Sequence, residues 1–183
     1  MKTTYPTMKD LVAAEGRRLR DVIAPDLQVL FCGINPGLYS AAVGQHFARP
    51  GNRFWAALYS AGFTPRLLAP PEAKLLLASN CGLTDIVARA TAKAEELDTA
   101  ELVAGRRRLE RKVRRFRPRW VAILGIGAYR TAFGRPRATL GPQPEPLGST
   151  GVWVLPNPSG LNASYQPSDL TSAFRKLRTV VNS

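Results

Sequence analysis

Two short loops carry the residues of this sequence that are best suited to chemistry. The first, Gly33–Gly37, reads Gly-Ile-Asn-Pro-Gly and follows the apolar run Leu27–Cys32. Its backbone N–H groups can hold a carbonyl or a developing anion. Asn35 both accepts and donates hydrogen bonds, so it can orient a water molecule, although an amide is a poor base. The alternative is a structural turn in which Asn35 bonds to its own backbone.

The second loop, Pro156–Leu161, follows the apolar run Val152–Leu155 and again places an Asn next to a Pro. Open α/β sheets bind their ligands beyond the carboxyl ends of the strands. Two strand ends that share this pattern therefore predict one site, assembled from distant parts of the chain.

The elements that position these loops alternate along the chain. Buried strands are predicted at Leu27–Cys32, Trp120–Leu124 and Val152–Leu155. Helices are predicted at Thr7–Arg20, Asn52–Tyr59, Pro70–Ala78, Thr99–Phe116, Ala128–Phe133 and Gln166–Val180, with a loop at Gly134–Gly148. Strands separated by helices predict an α/β fold, a three-layer α/β/α domain with a central, mainly parallel sheet. Because no repeat or long linker interrupts the pattern, we predict a single domain over residues 1–183.

The composition restricts the class of partner. The chain has 26 Lys and Arg against 13 Asp and Glu, a net charge of +13. This excess favours a polyanion such as nucleic acid, because each neutralised phosphate releases counterions. A basic, solvated surface is the alternative, especially for the arginine-rich outer face of the Thr99–Phe116 helix. No apolar run approaches the ~20 residues of a membrane span, and no signal-peptide core follows the first residues, so we predict a cytoplasmic protein without a membrane partner.

Three other features could indicate a cofactor or metal, and none is persuasive. Cys32 and Cys81 form no CxxC pair and His46 is the single histidine, which disfavours a zinc or iron–sulfur site and favours buried free thiols. The Gly125–Gly127 turn follows a strand as in dinucleotide-binding proteins, but Arg130 occupies the position that needs a small residue. We therefore favour a tight strand-to-helix turn over a nucleotide-dependent enzyme.

A family resemblance connects these motifs. The run Gly33–Trp55 resembles the mismatch-specific uracil-DNA glycosylases, the bacterial relatives of thymine-DNA glycosylase. Asn157–Leu161 is similar to that family's second motif, and Ala61–Thr64, Cys81–Thr84 and Ala122–Gly125 follow the family order. The resemblance implies a uracil-DNA glycosylase-like fold. It also implies an enzyme that flips uracil out of a mismatch with guanine and hydrolyses its N-glycosidic bond, thymine and modified cytosines being alternative substrates.

The resemblance also implies partners and cofactors. The expected partner is double-stranded DNA with G:U or G:T mismatches, single-stranded DNA being the alternative, and the expected state is a monomer at the bacterial nucleoid. No cofactor or metal is expected. No lysine lies in either motif, so the reaction is expected to be monofunctional, without a Schiff-base lyase step. Asn162 and Ala163 stand where members of the family often carry a basic residue, which implies weaker contacts to the opposite strand.

Individual residues receive roles from the same resemblance. Asn35 would position the attacking water. Backbone contacts to the pyrimidine would come from Ile34 and from Gly37 to Ser40, and Phe47 would stack on the ring unless it packs in the core. Asn157 would line the pocket, and the residues that would contact DNA are Ser159, Gly160, Leu161 and Asn162. Leu161 fits a wedge, because apolar side chains inserted between base steps unstack them.

Asp85 is a further candidate, although members of the family do not generally carry a carboxylate there. It is the only acid between Glu72 and Glu95. In the pocket it could activate the water as a base or stabilise the cation-like sugar; the alternatives are a helix N-cap or an ion pair with an arginine. We predict that Asn35 and Asp85 are catalytic and that His46 is a loop residue without a catalytic role. A non-enzymatic protein that binds mismatched or distorted DNA is the alternative function.

Overall fold

A five-stranded sheet organises the computed structural model, which describes residues 5–183. Its strands are β1 (Val29–Gly33), β2 (Cys81–Asp85), β3 (Trp120–Leu124), β4 (Gly141–Pro142) and β5 (Gly151–Leu155). The spatial order is β2-β1-β3-β5-β4, in which β4 is antiparallel to β5 and the other pairs are parallel. The predicted α/β fold with a mainly parallel central sheet is confirmed. The prediction of a single domain over residues 1–183 stays a prediction.

Helices cover both faces of the sheet. They are α1 (Met8–Val12), α2 (Leu38–Val43), α3 (Phe54–Ser60), α4 (Thr99–Phe116), α5 (Ile126–Phe133) and α6 (Pro167–Asn182), with 3₁₀ helices at Pro70–Ser79 and Ala94–Glu96. Successive residues of a strand face opposite sides. Phe31 therefore packs with Phe54 of α3 and Phe174 of α6, while Cys32 packs with Leu109 of α4 and Tyr129 of α5.

Several predicted elements are confirmed. The ranges of α4 and β3 agree with the prediction, and Asp98 caps α4 by accepting a hydrogen bond from the Glu101 N–H at 2.7 Å. One face of α6, formed by Leu170, Phe174 and Leu177, is buried. Cys32 and Cys81 are free and buried; burial raises the pKa of both thiols, that of Cys81 to about 12. Gly125 forms the predicted strand-to-helix turn with a φ of 142°.

The predicted helix Thr7–Arg20 is wrong beyond Val12, where α1 ends. Gly16 takes a φ of 70° and donates its N–H to the Ala90 carbonyl at 3.0 Å. Isolated bridges then join Arg18 to Arg89 and Val22 to Leu83. The chain leaves the helix because these bridges satisfy its backbone groups against β2 and the segment that follows it.

Four short elements were not predicted: the helix α2, the 3₁₀ helix Ala94–Glu96 and the strands β2 and β4. The predicted loop Gly134–Gly148 contains β4. Strand β2 was missed because Gly82 and Thr84 interrupt its apolar pattern. Gly82 is required there, since a Cβ would overlap the Val22 carbonyl oxygen. The omission matters for function, because β2 places Asp85 at the carboxyl edge of the sheet.

Within residues 5–183 no helix combines the length and the apolar character needed to cross a bilayer. The prediction that no signal-peptide core follows the first residues rests partly on residues 1–4, which lie outside the described part of the chain.

Candidate active site

A cavity of about 710 Å³ opens where the four parallel strands end. This volume lies within the range of roughly 300–1,000 Å³ that is usual for small-molecule sites. Of the predicted site residues, those that line it are Ile34, Asn35, Gly37, Ser40, Phe47, Asp85, Asn157, Ser159, Leu161 and Asn162. Gly160 does not line it, but packs so closely on Gly51 that a Cβ would overlap the Gly51 carbonyl oxygen. The two loops therefore meet at one site.

The side chain of Asn35 is held in one orientation. Its Nδ2 donates to the Arg89 carbonyl oxygen at 3.0 Å and to Thr91 Oγ1 at 2.7 Å. A carbonyl can only accept, and the Thr91 hydroxyl donates its own proton to the Lys93 carbonyl oxygen at 2.7 Å. The amide nitrogen must therefore point at this pair, and the amide oxygen remains as an acceptor for the cavity. These partners lie far along the chain, not on the Asn35 loop itself.

The carboxylate of Asp85 reaches the cavity from the neighbouring strand. Asp85 is paired in register with Gly33, the last residue of β1. A Cβ on Gly33 would overlap Asp85 Oδ1, so only glycine admits the carboxylate at this position. Asp85 ends a strand and does not cap a helix, and among the ion pairs of residues 5–183 it contacts no arginine. Both structural alternatives for Asp85 are therefore wrong.

His46 is the basic neighbour of Asp85, with Nδ1 at 3.5 Å from Oδ2. The other ring nitrogen, Nε2, lies 2.9 Å from the Arg20 carbonyl oxygen, which requires a proton on Nε2. As predicted, His46 lies in a turn, but its ring is buried against the carboxylate. That it has no catalytic role stays a prediction.

The surroundings tune the Asp85 carboxyl. Burial raises the pKa of Asp85 from 3.8 to about 6, an effect that the charge of His46 opposes. Asp21 also raises the pKa and Lys112 lowers it. These two form an ion pair of 2.6 Å behind β2, where both also bond to the Thr84 hydroxyl. A carboxyl that titrates near neutral pH is suited to general base catalysis, because it is ionised yet accepts a proton readily.

Phe47 forms one wall of the cavity in an unusual backbone conformation. Its φ of 53° lies in the left-handed region, which non-glycine residues seldom adopt. The hydroxyl of Ser40 holds the conformation by accepting a hydrogen bond from the Ala48 N–H at 3.1 Å. The Phe47 ring stacks on Phe54, with centroids 4.1 Å apart and planes at 24°, and still lines the cavity. It is thus both a neighbour of the core and a candidate platform for a planar ligand.

The Asn157 loop brings an amide and an apolar tip. Asn157 Oδ1 accepts from the Ser159 N–H at 3.0 Å, which leaves its NH₂ group as a donor for the cavity. At the tip, the Leu161 side chain is 68% exposed. The amide of Asn162 is engaged within the loop, because it donates to the Asn157 carbonyl and accepts from Ser164 N–H. Its predicted contact with DNA stays a prediction.

Sequence reasoning missed two residues of this site, His46 and Thr91. Both act through partners that only the fold supplies, Asp85 for the former and Asn35 for the latter. The position of His46 directly before Phe47, within the family-like run, was a signal for the first. For Thr91 the sequence offered none, since a single threonine in an irregular segment follows no pattern.

Comparisons with known proteins agree with this architecture. A solution NMR structure from Methanosarcina acetivorans, described as a candidate uracil DNA glycosylase, has a similar fold with a TM-score of 0.57 and 19% identity. The match covers 89% of this chain and 98% of that one. The family model for the uracil DNA glycosylase superfamily matches residues 20–178. Because this match spans most of the sequence, the chain belongs to the uracil DNA glycosylase superfamily, a group of DNA glycosylases.

Proposed function

We propose that this protein is a monofunctional, mismatch-specific uracil-DNA glycosylase. It would excise uracil from pairs with guanine in double-stranded DNA, with thymine and modified cytosine as alternative substrates. The observation that carries the proposal is the convergence of Asn35, Asp85 and Asn157 on one cavity, beside a loop whose apolar tip is exposed. Its substrate would place it at the nucleoid, where it would act as a monomer over residues 1–183.

The proposed reaction is hydrolysis at C1′ of an extruded nucleotide. The bond from C1′ to N1 of the pyrimidine breaks, and its electron pair leaves with the base as an anion. Water adds to the cation-like sugar and gives up one proton, so the products are an abasic site and the free base. The catalyst must therefore orient a water, accept its proton and stabilise a developing positive charge.

Asp85 and Asn35 supply these functions in our proposal. The Asp85 carboxylate takes the proton of the water, and its negative charge also stabilises the cation-like sugar. Asn35 Oδ1 accepts a hydrogen bond from the same water, because its NH₂ group is already engaged. In this proposal the Asn35 amide orients the water, and the Asp85 carboxylate accepts its proton.

Base recognition would use other residues that line the cavity. The NH₂ group of Asn157 can donate to a pyrimidine carbonyl, and Phe47 can stack on the ring. Ile34, Gly37 and Ser40 line the same space and can contact the base through their backbone. An extruded base is read through its polar edge in such pockets.

DNA binding would rest on charge and on the Asn157 loop. The net charge of +13 favours a phosphate backbone. Leu161, with Ser159, Gly160 and Asn162 around it, would enter the base stack that the extruded nucleotide leaves. A mismatched base costs less to extrude than a paired one, which supports mismatches as substrates.

The test is a single-turnover assay with labelled oligonucleotides that contain uracil opposite guanine, uracil opposite adenine, thymine opposite guanine, a modified cytosine, or uracil in a single strand. Alkali converts each abasic site into a strand break. We expect breaks only after alkali and most rapidly for uracil opposite guanine, with no loss of rate in EDTA. Binding of mismatched duplexes without any abasic site would instead identify a non-enzymatic mismatch-binding protein.

We predict that His46→Gln shifts the pH dependence of cleavage. Cleavage by an ionised Asp85 rises as the pH passes through about 6. Because the charge of His46 lowers the pKa of Asp85, its removal moves the midpoint to higher pH while the plateau is kept within about threefold. Single-turnover rates between pH 5 and 9 measure both quantities. A uniform loss at every pH, without movement of the midpoint, would contradict the assigned role.

We predict a smaller effect for Thr91→Val. The substitution preserves shape but removes one of the two acceptors that hold the Asn35 amide. The oxygen of Asn35 then points at the water for a smaller fraction of the time, and the cleavage rate falls about tenfold, as expected for one lost hydrogen bond. Thr91→Ser is the matched control, since it retains the hydroxyl and should retain the rate. Equal rates for the Val and Ser variants would show that the tether is dispensable.

A further inference from the structure

The loop that carries Leu161 is held by Arg53, a residue that lies far from it along the chain. Arg53 lies directly before α3, and its half-buried guanidinium reaches across to that loop. It donates to the carbonyl oxygens of Ser159 at 2.6 Å and Asn162 at 2.8 Å, and also to that of Tyr165. The backbone N–H of Arg53 donates to the Pro158 carbonyl at 3.0 Å. One residue thus binds both sides of the exposed tip.

The remaining bonds of the loop are local. Leu161 N–H bonds to Ser159 Oγ at 3.3 Å, and Asn162 N–H bonds to the Ser159 carbonyl at 3.0 Å. Contacts of this kind define turns but do not fix the loop to the rest of the protein. The fixed contacts are those with Arg53 and the close approach of Gly160 to Gly51. Both partners come from one segment, more than 100 residues earlier in the chain.

The chemistry of this contact is specific for arginine. A guanidinium carries five N–H donors in one rigid plane, which suits several carbonyl oxygens that converge on it. A lysine ammonium has three donors on a flexible stem and cannot reproduce the arrangement. Among the ion pairs of residues 5–183 none involves Arg53. Its charge is therefore compensated by backbone dipoles of the loop itself.

We infer that Arg53 is a positioning residue that holds the Leu161 loop in the shape needed to enter duplex DNA. The inference rests on the proposed function. A side chain that displaces a base from the stack must keep its position while it does so. A loop without a tether would lose conformational entropy when it binds DNA, and this loss would weaken the complex. Single-stranded uracil has no stack to open, so its cleavage does not depend on the tether. Arg53 thus sets the preference for duplex over single-stranded substrate.

The test compares cleavage of uracil in a G:U duplex and in the same single strand. Arg53→Lys keeps the charge and Arg53→Met removes it. Arg108→Met is the matched control. Arg108 is an exposed arginine of α4, and its replacement by Met also removes one positive charge. We expect the duplex rate to fall about 30-fold in both Arg53 variants, the effect of losing charge-assisted hydrogen bonds, with less than threefold change on the single strand. The control should keep the ratio of the two rates.

Two further measurements separate positioning from a general structural defect. Hydrogen exchange of the backbone amides in residues 157–165 should accelerate in both Arg53 variants and not in Leu161→Ala. The double variant Arg53→Lys with Leu161→Ala should cleave duplex no more slowly than Leu161→Ala alone, because Arg53 acts through the loop.

Equal losses on both substrates, or unchanged exchange in the loop, would overturn the inference. If Arg53→Met does not fold, Arg53→Lys decides the question by the same ratio. If the wild-type protein cleaves neither substrate, the proposed function fails. Exchange in the loop and the affinity for an intact G:U duplex then decide whether Arg53 positions the loop for DNA.

Discussion

Asp85→Asn is expected to lower the single-turnover rate of uracil excision by about 100- to 1,000-fold, the usual contribution of a general base. The substitution preserves the shape of the side chain but removes its ability to take a proton and its negative charge. The residual rate should no longer depend on pH near 6, because the group responsible for the midpoint is gone. Rates measured between pH 5 and 9 for both proteins provide the comparison.

The same substitution is expected to stabilise the fold near neutral pH. The pKa of Asp85 is about 6 in the folded protein against 3.8 for the free side chain. The folded state therefore binds the proton more tightly, so stability is lost as the pH rises from about 4 through 6. The ionised carboxylate costs on the order of 3 kcal/mol above that range. Asparagine avoids this cost, and the gain should be absent at pH 4.

Chemical denaturation at pH 4 and pH 7.5 measures this difference. If Asp85→Asn is more stable than the wild type but inactive, Asp85 contributes to catalysis at the expense of the stability of the fold. A variant that is fully active would refute Asp85 as the base. A variant that is less stable at pH 7.5 than the wild type would refute the raised pKa.

Asn35→Ala is expected to lower the same rate by about 100-fold, because the water loses the acceptor that directs it at C1′. The fold should be nearly unaffected, since the Thr91 hydroxyl, one of the two lost partners, borders a cavity that water can fill. Asn35→Asp should not restore the rate. It would place a carboxylate oxygen against the Arg89 carbonyl, where only a donor is favourable.

The double variant of Asn35 and Asp85 tests whether the two residues act on one water. If they do, the double variant should be about as slow as Asp85→Asn alone, because residues that work as a unit are not additive. A rate that falls by the product of the two single effects would show independent roles, with Asp85 acting on the sugar. Asn35→Ala with the full wild-type rate would remove Asn35 from the mechanism.

The local patterns of the sequence were sufficient for much of the fold. The amphipathic period of α4 and its Asp98 cap, and the continuous apolar run of β3, are local signals, and their bounds were predicted correctly. The predicted helix Thr7–Arg20 failed because its amphipathic pattern competes with pairing to β2 and to the segment after β2, which both lie more than 60 residues away.

In the candidate site, too, some features follow from the local sequence and others only from the fold. The chain itself determined the residue types: an amide after β1, an amide and an apolar tip after β5, and one isolated carboxylate. That these lie together follows from parallel strands, whose carboxyl ends share one edge. Sequence could therefore identify Asn35, Asp85 and Asn157 as candidates.

Tertiary structure alone decided how those candidates are held and charged. The direction of the Asn35 amide depends on Thr91, the pKa of Asp85 on burial and on His46, and the shape of the Leu161 loop on Arg53. Each of these partners is separated from its target by tens of residues or more. Hydrogen bonding, desolvation and charge interactions depend on distance in space, and separation along the chain carries no information about them. The sequence by itself determined which groups are available for the chemistry; the fold decided which of them is a base, which an acceptor and which a support.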